Sequence, residues 1–259
     1  MIIETHAHYD DEAFDEDRDE LLSGMQEKGI EKIINVCANL KSLDATAKLM
    51  QQYPFIYGAF GLHPDEVGDL NDEVLQHMRM LCQEEKAVAV GEIGLDYYWN
   101  KENRETQISC FKTQLELARE VKLPVIIHSR DAAADTLSVM KEMHAEKIGG
   151  VIHCFSYSVE MAREYLDMGF YLGIGGVITF KNARKLVEVV EMAPLERLLL
   201  ETDSPYLAPV PNRGKRNSSL NLPDIAAAIA DIKGTAFEEV TAVTRCNAEE
   251  LFLRSRAYD

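Results

Sequence analysis

Two histidines one residue apart, His6 and His8 in Thr5-His6-Ala7-His8, follow the apolar opening Met1-Ile2-Ile3. In extended backbone alternate side chains share a face, so both imidazoles project to one side and supply half of a metal site. Further residues able to bind metal or move protons recur along the chain. They are His63 in Gly61-Leu62-His63-Pro64, Glu92 in Gly91-Glu92-Ile93-Gly94-Leu95-Asp96, His128 in Ile127-His128-Ser129-Arg130, His153 in His153-Cys154-Phe155-Ser156 and Asp203 in Glu201-Thr202-Asp203-Ser204-Pro205. Each taken alone also reads as a capping or packing residue; their joint placement carries the signal.

The imidazoles of His6, His8, His128 and His153, with the carboxylates of Glu92 and Asp203, are more donors than one catalytic ion takes, because such an ion keeps a position open for water. The set predicts two divalent ions, zinc, manganese or magnesium, with Glu92, central in strand order, as the carboxylate between them. Two ions roughly 3.5 to 4 Å apart share a water, lower its pKa and steady the attacking and leaving oxygens of a displacement at phosphorus or at a carbonyl. In that scheme Asp203 ligates one ion and takes the proton of the water, while His63 contacts a substrate phosphate or protonates the leaving group.

What must position these residues is an alternation of short β-branched runs with longer amphipathic stretches. Strands are predicted at Ile2 to Thr5, Lys32 to Val36, Ile56 to Gly61, Ala87 to Ile93, Pro124 to Ile127, Val151 to Cys154, Phe170 to Ile174 and Leu198 to Thr202. Helices are predicted at Asp15 to Lys28, Leu43 to Gln52, Asn71 to Glu84, Arg104 to Val121, Ala132 to Ala145, Val159 to Met168 and Ala183 to Met192, with Pro223 to Ile232 and Ala236 to Phe252 completing an outer layer. Gly29 and Gly169 stand just past a last helical turn.

Eight β-then-α units in about 250 residues match a closed (β/α)8 barrel, and the near-continuous apolar strands suit parallel pairing. No repeat, low-complexity segment or composition shift marks a linker. The expected fold class is therefore α/β, a single-domain (β/α)8 TIM barrel over residues 1–259, with an open doubly wound sheet as the competing architecture. Barrel enzymes place their chemistry at the C-terminal ends of the strands. His6, His8, His63, His128, His153, Glu92 and Asp203 all fall there, and Glu201 reads as a carboxylate facing the interior behind a ligand. His77 and His144 lie in helical stretches and read as surface residues.

The chain carries 46% hydrophobic and 27% charged residues, and no apolar run approaches the roughly 20 residues that span a bilayer. Glu4, two histidines and the acidic Asp10-Asp11-Glu12 follow the start at once, unlike a signal peptide, so a cytoplasmic protein is expected. Cys37, Cys82, Cys110, Cys154 and Cys246 form no CxxC pair and read as small buried hydrophobes. A formal charge of -17 opposes binding of a polyanion over the whole surface, so any nucleic-acid contact must be local. No membrane association and no obligate protein partner are expected.

The ordered set Thr-His-Ala-His, Gly-Leu-His-Pro, Gly-Glu-Ile-Gly-Leu-Asp-Tyr, Pro-Val-Ile-Ile-His-Ser-Arg, His-Cys-Phe-Ser and Glu-Thr-Asp-Ser-Pro-Tyr resembles the TatD-like metal-dependent deoxyribonucleases of the amidohydrolase superfamily, from Thr5 to about Asn217. The resemblance implies a TIM barrel with two metals on His6, His8, Glu92, His128, His153 and Asp203. It also implies phosphodiester hydrolysis, described for the family as DNase activity, often 3′ to 5′ exonucleolytic. After Arg213-Gly214-Lys215-Arg216-Asn217 relatives usually continue with Glu-Pro and then a Tyr, whereas Ser218-Ser219-Leu220 stand here. That departure bears on the role of this loop in substrate choice, not on the metals.

Arg213, Lys215 and Arg216, just beyond the last strand, and Arg130, beyond the fifth, are candidates to hold phosphates flanking a scissile bond; a solvated loop is the plainer account. Tyr97, Tyr98 and Trp99 follow the fourth strand, where they either stack on bases or roof the core. The expected activity is cleavage of DNA at ends or in single strands. Two other readings remain: ester or amide hydrolysis, for example on a charged tRNA, and an inert barrel kept as a scaffold. Rates on DNA beside ester and amide panels separate the first two, and a scaffold would predict a lost ligand, none of which is missing.

Overall fold

In the computed structural model, which describes residues 1–99 and 101–253, eight parallel strands pair in sequence order. They are β1 (Ile2–Ala7), β2 (Ile30–Val36), β3 (Ile56–Ala59), β4 (Ala87–Asp96), β5 (Val125–Arg130), β6 (Gly150–Ile152), β7 (Tyr171–Ile174) and β8 (Leu198–Leu200). The barrel closes between β8 and β1 through the residues that follow β8. Thr5 Oγ1 donates to Leu200 O at 2.9 Å, Asp203 N to His6 O at 2.9 Å and His8 N to Ser204 O at 2.8 Å. This seam fixes the first and last candidate ligands relative to each other by main-chain bonds.

Around the strands lie α1 (Arg18–Ser23), α2 (Leu40–Gln52), α3 (Asp72–Leu81), α4 (Arg104–Val121), α5 (Ala133–Glu142), α6 (Val159–Asp167), α7 (Arg184–Met192), α8 (Leu222–Lys233) and α9 (Phe237–Ala248), the last continuing as a π turn, Glu249–Leu253. Local chemistry sets their ends. Asn39 and Ser42 form a reciprocal capping box at the start of α2, and Gly234 takes a left-handed conformation just past α8.

Alternation along each strand divides the core in two. Ile3, Ile34, Ala59, Val88, Ile126, Val151, Tyr171 and Leu199 fill the barrel interior with Ala248 and Phe252 from the C-terminal segment, whereas Ile33, Ile127, Leu172 and Leu198 pack outward against the helices. Truncating one of these buried leucines to alanine costs about 2 to 5 kcal/mol.

The expected barrel is present, with boundaries that shift for identifiable reasons. β8 stops at Leu200 rather than Thr202, because the N–H of Thr202 donates to the Glu4 carboxylate at 2.9 Å instead of joining a ladder. β4 and β5 run further, to Asp96 and Arg130, pairing Gly94 with His128 and Asp96 with Arg130. Gly94, at φ +147°, lets β4 pass against the His128 carbonyl, where a Cβ would collide. The first helix is short, Arg18–Ser23, since Met25 and Lys28 already close tight turns onto Leu22 and Met25. Of the cysteines expected to be buried, Cys37, Cys82 and Cys110 are, but Cys154 is half-buried and Cys246 exposed.

Candidate metal centre

His6 and His8 leave the end of β1 with their Nε2 atoms 3.2 Å apart. Nε2 of His6 lies 3.4 Å from Glu92 Oε2 and 3.8 Å from Asp203 Oδ1; Nε2 of His8 lies 3.8 Å and 3.3 Å from the same two atoms. Bonds of about 2.0–2.2 Å in a tetrahedral site give edges of about 3.3 to 3.6 Å, so four donors from β1, β4 and the segment after β8 are spaced to surround one ion. The other oxygen of Glu92 faces away from this group. Oε1 lies 2.7 Å from His128 Nδ1 and 3.2 Å from His153 Nε2. Glu92 thus stands between two sets of imidazoles.

Hydrogen bonds on the far side of the rings test whether the residues fit a metal. His8 Nδ1 donates to Val36 O at 2.8 Å, His153 Nδ1 to Glu201 Oε1 at 3.1 Å and His128 Nε2 to Asp96 Oδ2 at 2.9 Å. Each donation leaves a lone pair on the opposite nitrogen, and each of those nitrogens points at a carboxylate oxygen. Acceptors facing acceptors in a buried site call for shared positive charge, supplied by protons on the rings or by a divalent ion, and outer carboxylates or carbonyls that orient the imidazoles are the usual surroundings of a metal. The residues fit divalent ions.

The electrostatics agree. Burial opposes charge on Glu92, yet His153 and His6 hold its pKa well below the usual carboxylate range. Burial likewise works against ionised Asp203, and His8 and His153 outweigh it, keeping the carboxyl below its ordinary value. His8 is desolvated, but Asp203 and Glu92 push it up to about 9. The carboxylates therefore demand positive charge at the points where the imidazole lone pairs converge.

His63 caps the turn after β3. Its Nδ1 accepts from Asp65 N at 3.2 Å and its ring stands edge-on to His128, the centroids 4.3 Å apart. Burial and the neighbouring His128 lower its pKa to about 4. Donor atoms of His63, Glu92 and His128 lie within 4.8 Å of one another. Gly61 makes room: a Cβ there would stand 2.6 Å from the Gly91 carbonyl carbon.

Three supporting carboxylates lie behind the candidate ligands. Glu201 is buried and accepts from both His153 Nδ1 and Cys154 N. Asp96 receives no role from the sequence, because its contact with His128 depends on how far the β4–β5 pairing continues. Glu4 is also unmarked in the sequence. It accepts from His6 N, Thr202 N and Thr202 Oγ1 at 3.2, 2.9 and 2.6 Å, and burial raises its pKa to about 8.

The proposed phosphate contacts are dispersed. Arg216 is held by both oxygens of Asp17 at 2.7 and 2.6 Å and by Ala13 O, and Arg213 lies over the Phe180 ring at 4.3 Å. Lys215 lines a cleft with Asp11, Glu12, Asp15 and Glu16. Arg130 stands over Tyr98, 3.9 Å from the ring centroid. His77 and His144 sit outside the centre, paired with Asp44 and Glu146.

Comparison with known proteins accords with this geometry. The family model described as TatD related DNase matches residues 3–253. The chain is 43% identical over 252 residues to the uncharacterized metal-dependent hydrolase YabD of Bacillus subtilis, covering 97% of this chain and 99% of that protein. It is 35% identical over 248 residues to the 3′-5′ ssDNA/RNA exonuclease TatD of Cronobacter sakazakii, covering 93% and 94%. The crystal structure of the TatD homologue YJJV from Escherichia coli superposes with a TM-score of 0.91 at 31% identity, covering 97% of each chain. The chain belongs to the TatD-related DNase family of metal-dependent hydrolases.

Proposed function

We propose that this protein hydrolyses phosphodiester bonds in DNA as a divalent-metal-dependent nuclease, acting 3′ to 5′ on single strands or ends. The observation that carries the reading is the position of Glu92, with Oε2 turned to His6, His8 and Asp203 and Oε1 to His128 and His153. On this reading His6, His8, Glu92 and Asp203 would hold one ion of zinc, manganese or magnesium, and Glu92, His128 and His153 would hold a second. When bound, such ions supply Lewis-acid stabilisation of a phosphoryl oxygen and lower the pKa of a water.

The protein side chains then have distinct tasks. Asp203, kept ionised by His8 and His153, accepts the proton of the attacking water. His63 accepts at Nδ1 from Asp65, which leaves its proton on Nε2, so the neutral ring donates a hydrogen bond to a phosphoryl oxygen rather than a proton to the leaving group. Asp96, Glu201 and Val36 O keep His128, His153 and His8 from rotating. The relative named as a 3′-5′ ssDNA/RNA exonuclease supports a nucleic-acid substrate.

Labelled single-stranded DNA incubated with Mg2+, Mn2+ or Zn2+ should be shortened from its 3′ end by the wild type and left intact by Glu92→Gln and Asp203→Asn. Cleavage at the wild-type rate by both variants would defeat the reading.

One observation favours a second reading, hydrolysis of a carboxylic ester or amide. The cavity beside His8, about 380 Å³, is lined by Asp10, Asp11 and Glu12 together with Lys41 and Tyr206. Such a lining suits a cationic or neutral leaving group better than a phosphate. Rates on DNA and on ester and amide panels, measured side by side, separate the two.

A further inference from the structure

Beyond the barrel mouth β4 and β5 continue as a two-strand ribbon, with Leu95 opposite Ser129 and Asp96 opposite Arg130. Tyr98 and Trp99 stand at its tip, 51% and 67% exposed, with ring centroids 4.7 Å apart in a T-shaped pair. The Arg130 guanidinium lies 3.9 Å from the Tyr98 centroid and 5.6 Å from that of Trp99. We propose that this tip is a stacking platform for a nucleobase of the strand being cleaved, with Trp99 as the stacking ring and Arg130 holding the adjoining phosphate. The inference rests on the nuclease reading above and adds the path of the strand.

Three features favour a base as occupant. The first is rigidity and aim. The N–H groups of Tyr98 and Trp99 donate to Asp96 Oδ1 at 2.8 and 3.1 Å, and Asp96 Oδ2 holds His128 Nε2 at 2.9 Å. One carboxylate therefore fixes both the platform and a candidate metal ligand, which links the rings to the candidate centre through a single side chain.

The second is charge. In a chain of formal charge -17, this side of the mouth carries Arg130 and a cleft of about 390 Å³ lined by Tyr97, Lys101, Arg104 and Asp131. Across the barrel, the cleft containing Lys215 and Arg216 is lined by Asp11, Glu12, Asp15 and Glu16, and Arg216 is already paired with Asp17. Arg104 is itself paired with Asp135, so the contrast rests on Arg130 and Lys101 against the four carboxylates of the opposite cleft, which disfavour a phosphate on the β1–β8 side.

The third is the division of labour among three successive aromatics. Tyr97 is built into the fold, its hydroxyl donating to Asp135 at 2.7 Å under the Arg104 guanidinium, whereas Trp99 leaves most of its surface uncovered. Stacking needs only a π face, so the platform accepts any base, but only from a strand whose bases are not already stacked in a duplex.

The chain has one tryptophan, so indole emission reports Trp99 alone. A single-stranded oligodeoxynucleotide with phosphorothioate linkages should quench that emission on binding, while an abasic strand of equal length, followed by anisotropy of a 5′ label, should bind without quenching it. Trp99→Ala should raise KM on the natural oligonucleotide about tenfold with a smaller change in kcat, and Trp99→Phe should recover most of the loss. Unchanged emission at saturation, or an unaltered KM in Trp99→Ala, would overturn the platform even if the wild type cleaves DNA. Quenching by the phosphorothioate strand, with the unmodified strand left uncleaved under every metal, would defeat the nuclease reading and leave the base site standing; no binding at all would overturn both.

Discussion

The carboxylate of Asp96 holds Nε2 of His128 at 2.9 Å, so that Nδ1 of the same ring is presented to Glu92 at 2.7 Å. A ring free to rotate would offer this nitrogen only part of the time. Asp96→Asn should fold normally, because its amide oxygen still accepts from Tyr98 and Trp99. Its affinity for the divalent ion should fall about 10- to 100-fold in calorimetric titration. An affinity equal to that of the wild type would show that His128 needs no such support.

Glu4 ties β1 to the segment after β8 by accepting from His6 N, Thr202 N and Thr202 Oγ1. A glutamine keeps one oxygen for the two main-chain donors and turns an N–H toward the threonine hydroxyl, which suits a carboxyl whose pKa burial raises to about 8. Glu4→Gln should therefore stay within about 1 kcal/mol of wild type in urea unfolding, whereas Glu4→Ala, which strands buried donors, should lose about 2 to 4 kcal/mol. Equal losses in the two variants would contradict this account.

Acid sensitivity should come in part from the ion pair between Glu31, at the start of β2, and Arg245 in α9, where Nε lies 2.5 Å from Oε2. The Arg245 bond, opposed by partial burial and helped by Lys32, lowers the Glu31 pKa from 4.5 to about 2. A depressed carboxyl stabilises the folded state above the unfolded pKa and loses that contribution as pH falls through the folded value. Glu31→Gln should be less stable than wild type by about 1 kcal/mol at pH 7, and the gap should close between pH 4.5 and pH 2 in thermal melts. A gap independent of pH would assign the effect to packing.

Stripping metal with a chelator should lower the melting temperature, since converging carboxylates and imidazole lone pairs then lose their shared charge. Readdition at about 100 times the dissociation constant should restore about 2.7 kcal/mol for each ion taken up. The gain should be smaller in His6→Ala/His8→Ala, which keeps only Glu92, His128 and His153, the donors proposed for the second ion. A melting temperature unaffected by chelation of the metal-loaded wild type would count against a structural contribution from the ions.

Much of this centre is legible in the sequence because a barrel converts order along the chain into position around a rim. Once eight strands are recognised, His6, His128 and Asp203 need no further information to be placed on one face. What stays hidden depends on side-chain partners distant in sequence. Asp96 looks like a residue in a turn until the β4–β5 register puts it beside His128. Arg216 looks like a free phosphate ligand until Asp17, 199 residues earlier, is found to hold it. Glu4 gives no signal at all, since a carboxylate buried beside a barrel seam obeys neither the strand pattern nor any motif. The sequence pattern overruns helix ends where turns replace regular bonds, as after Ser23, and strand ends where a side chain captures a main-chain donor, as at Thr202.

The central claim is that Glu92 stands between two ions. Metal content of protein loaded with excess divalent metal and then dialysed free of unbound ions tests it most directly, by plasma emission on wild type and Glu92→Gln. Two equivalents in the wild type, falling to one or fewer in the variant while the circular dichroism spectrum is kept, is the predicted result. A single equivalent in the wild type, or two in both proteins, would contradict it.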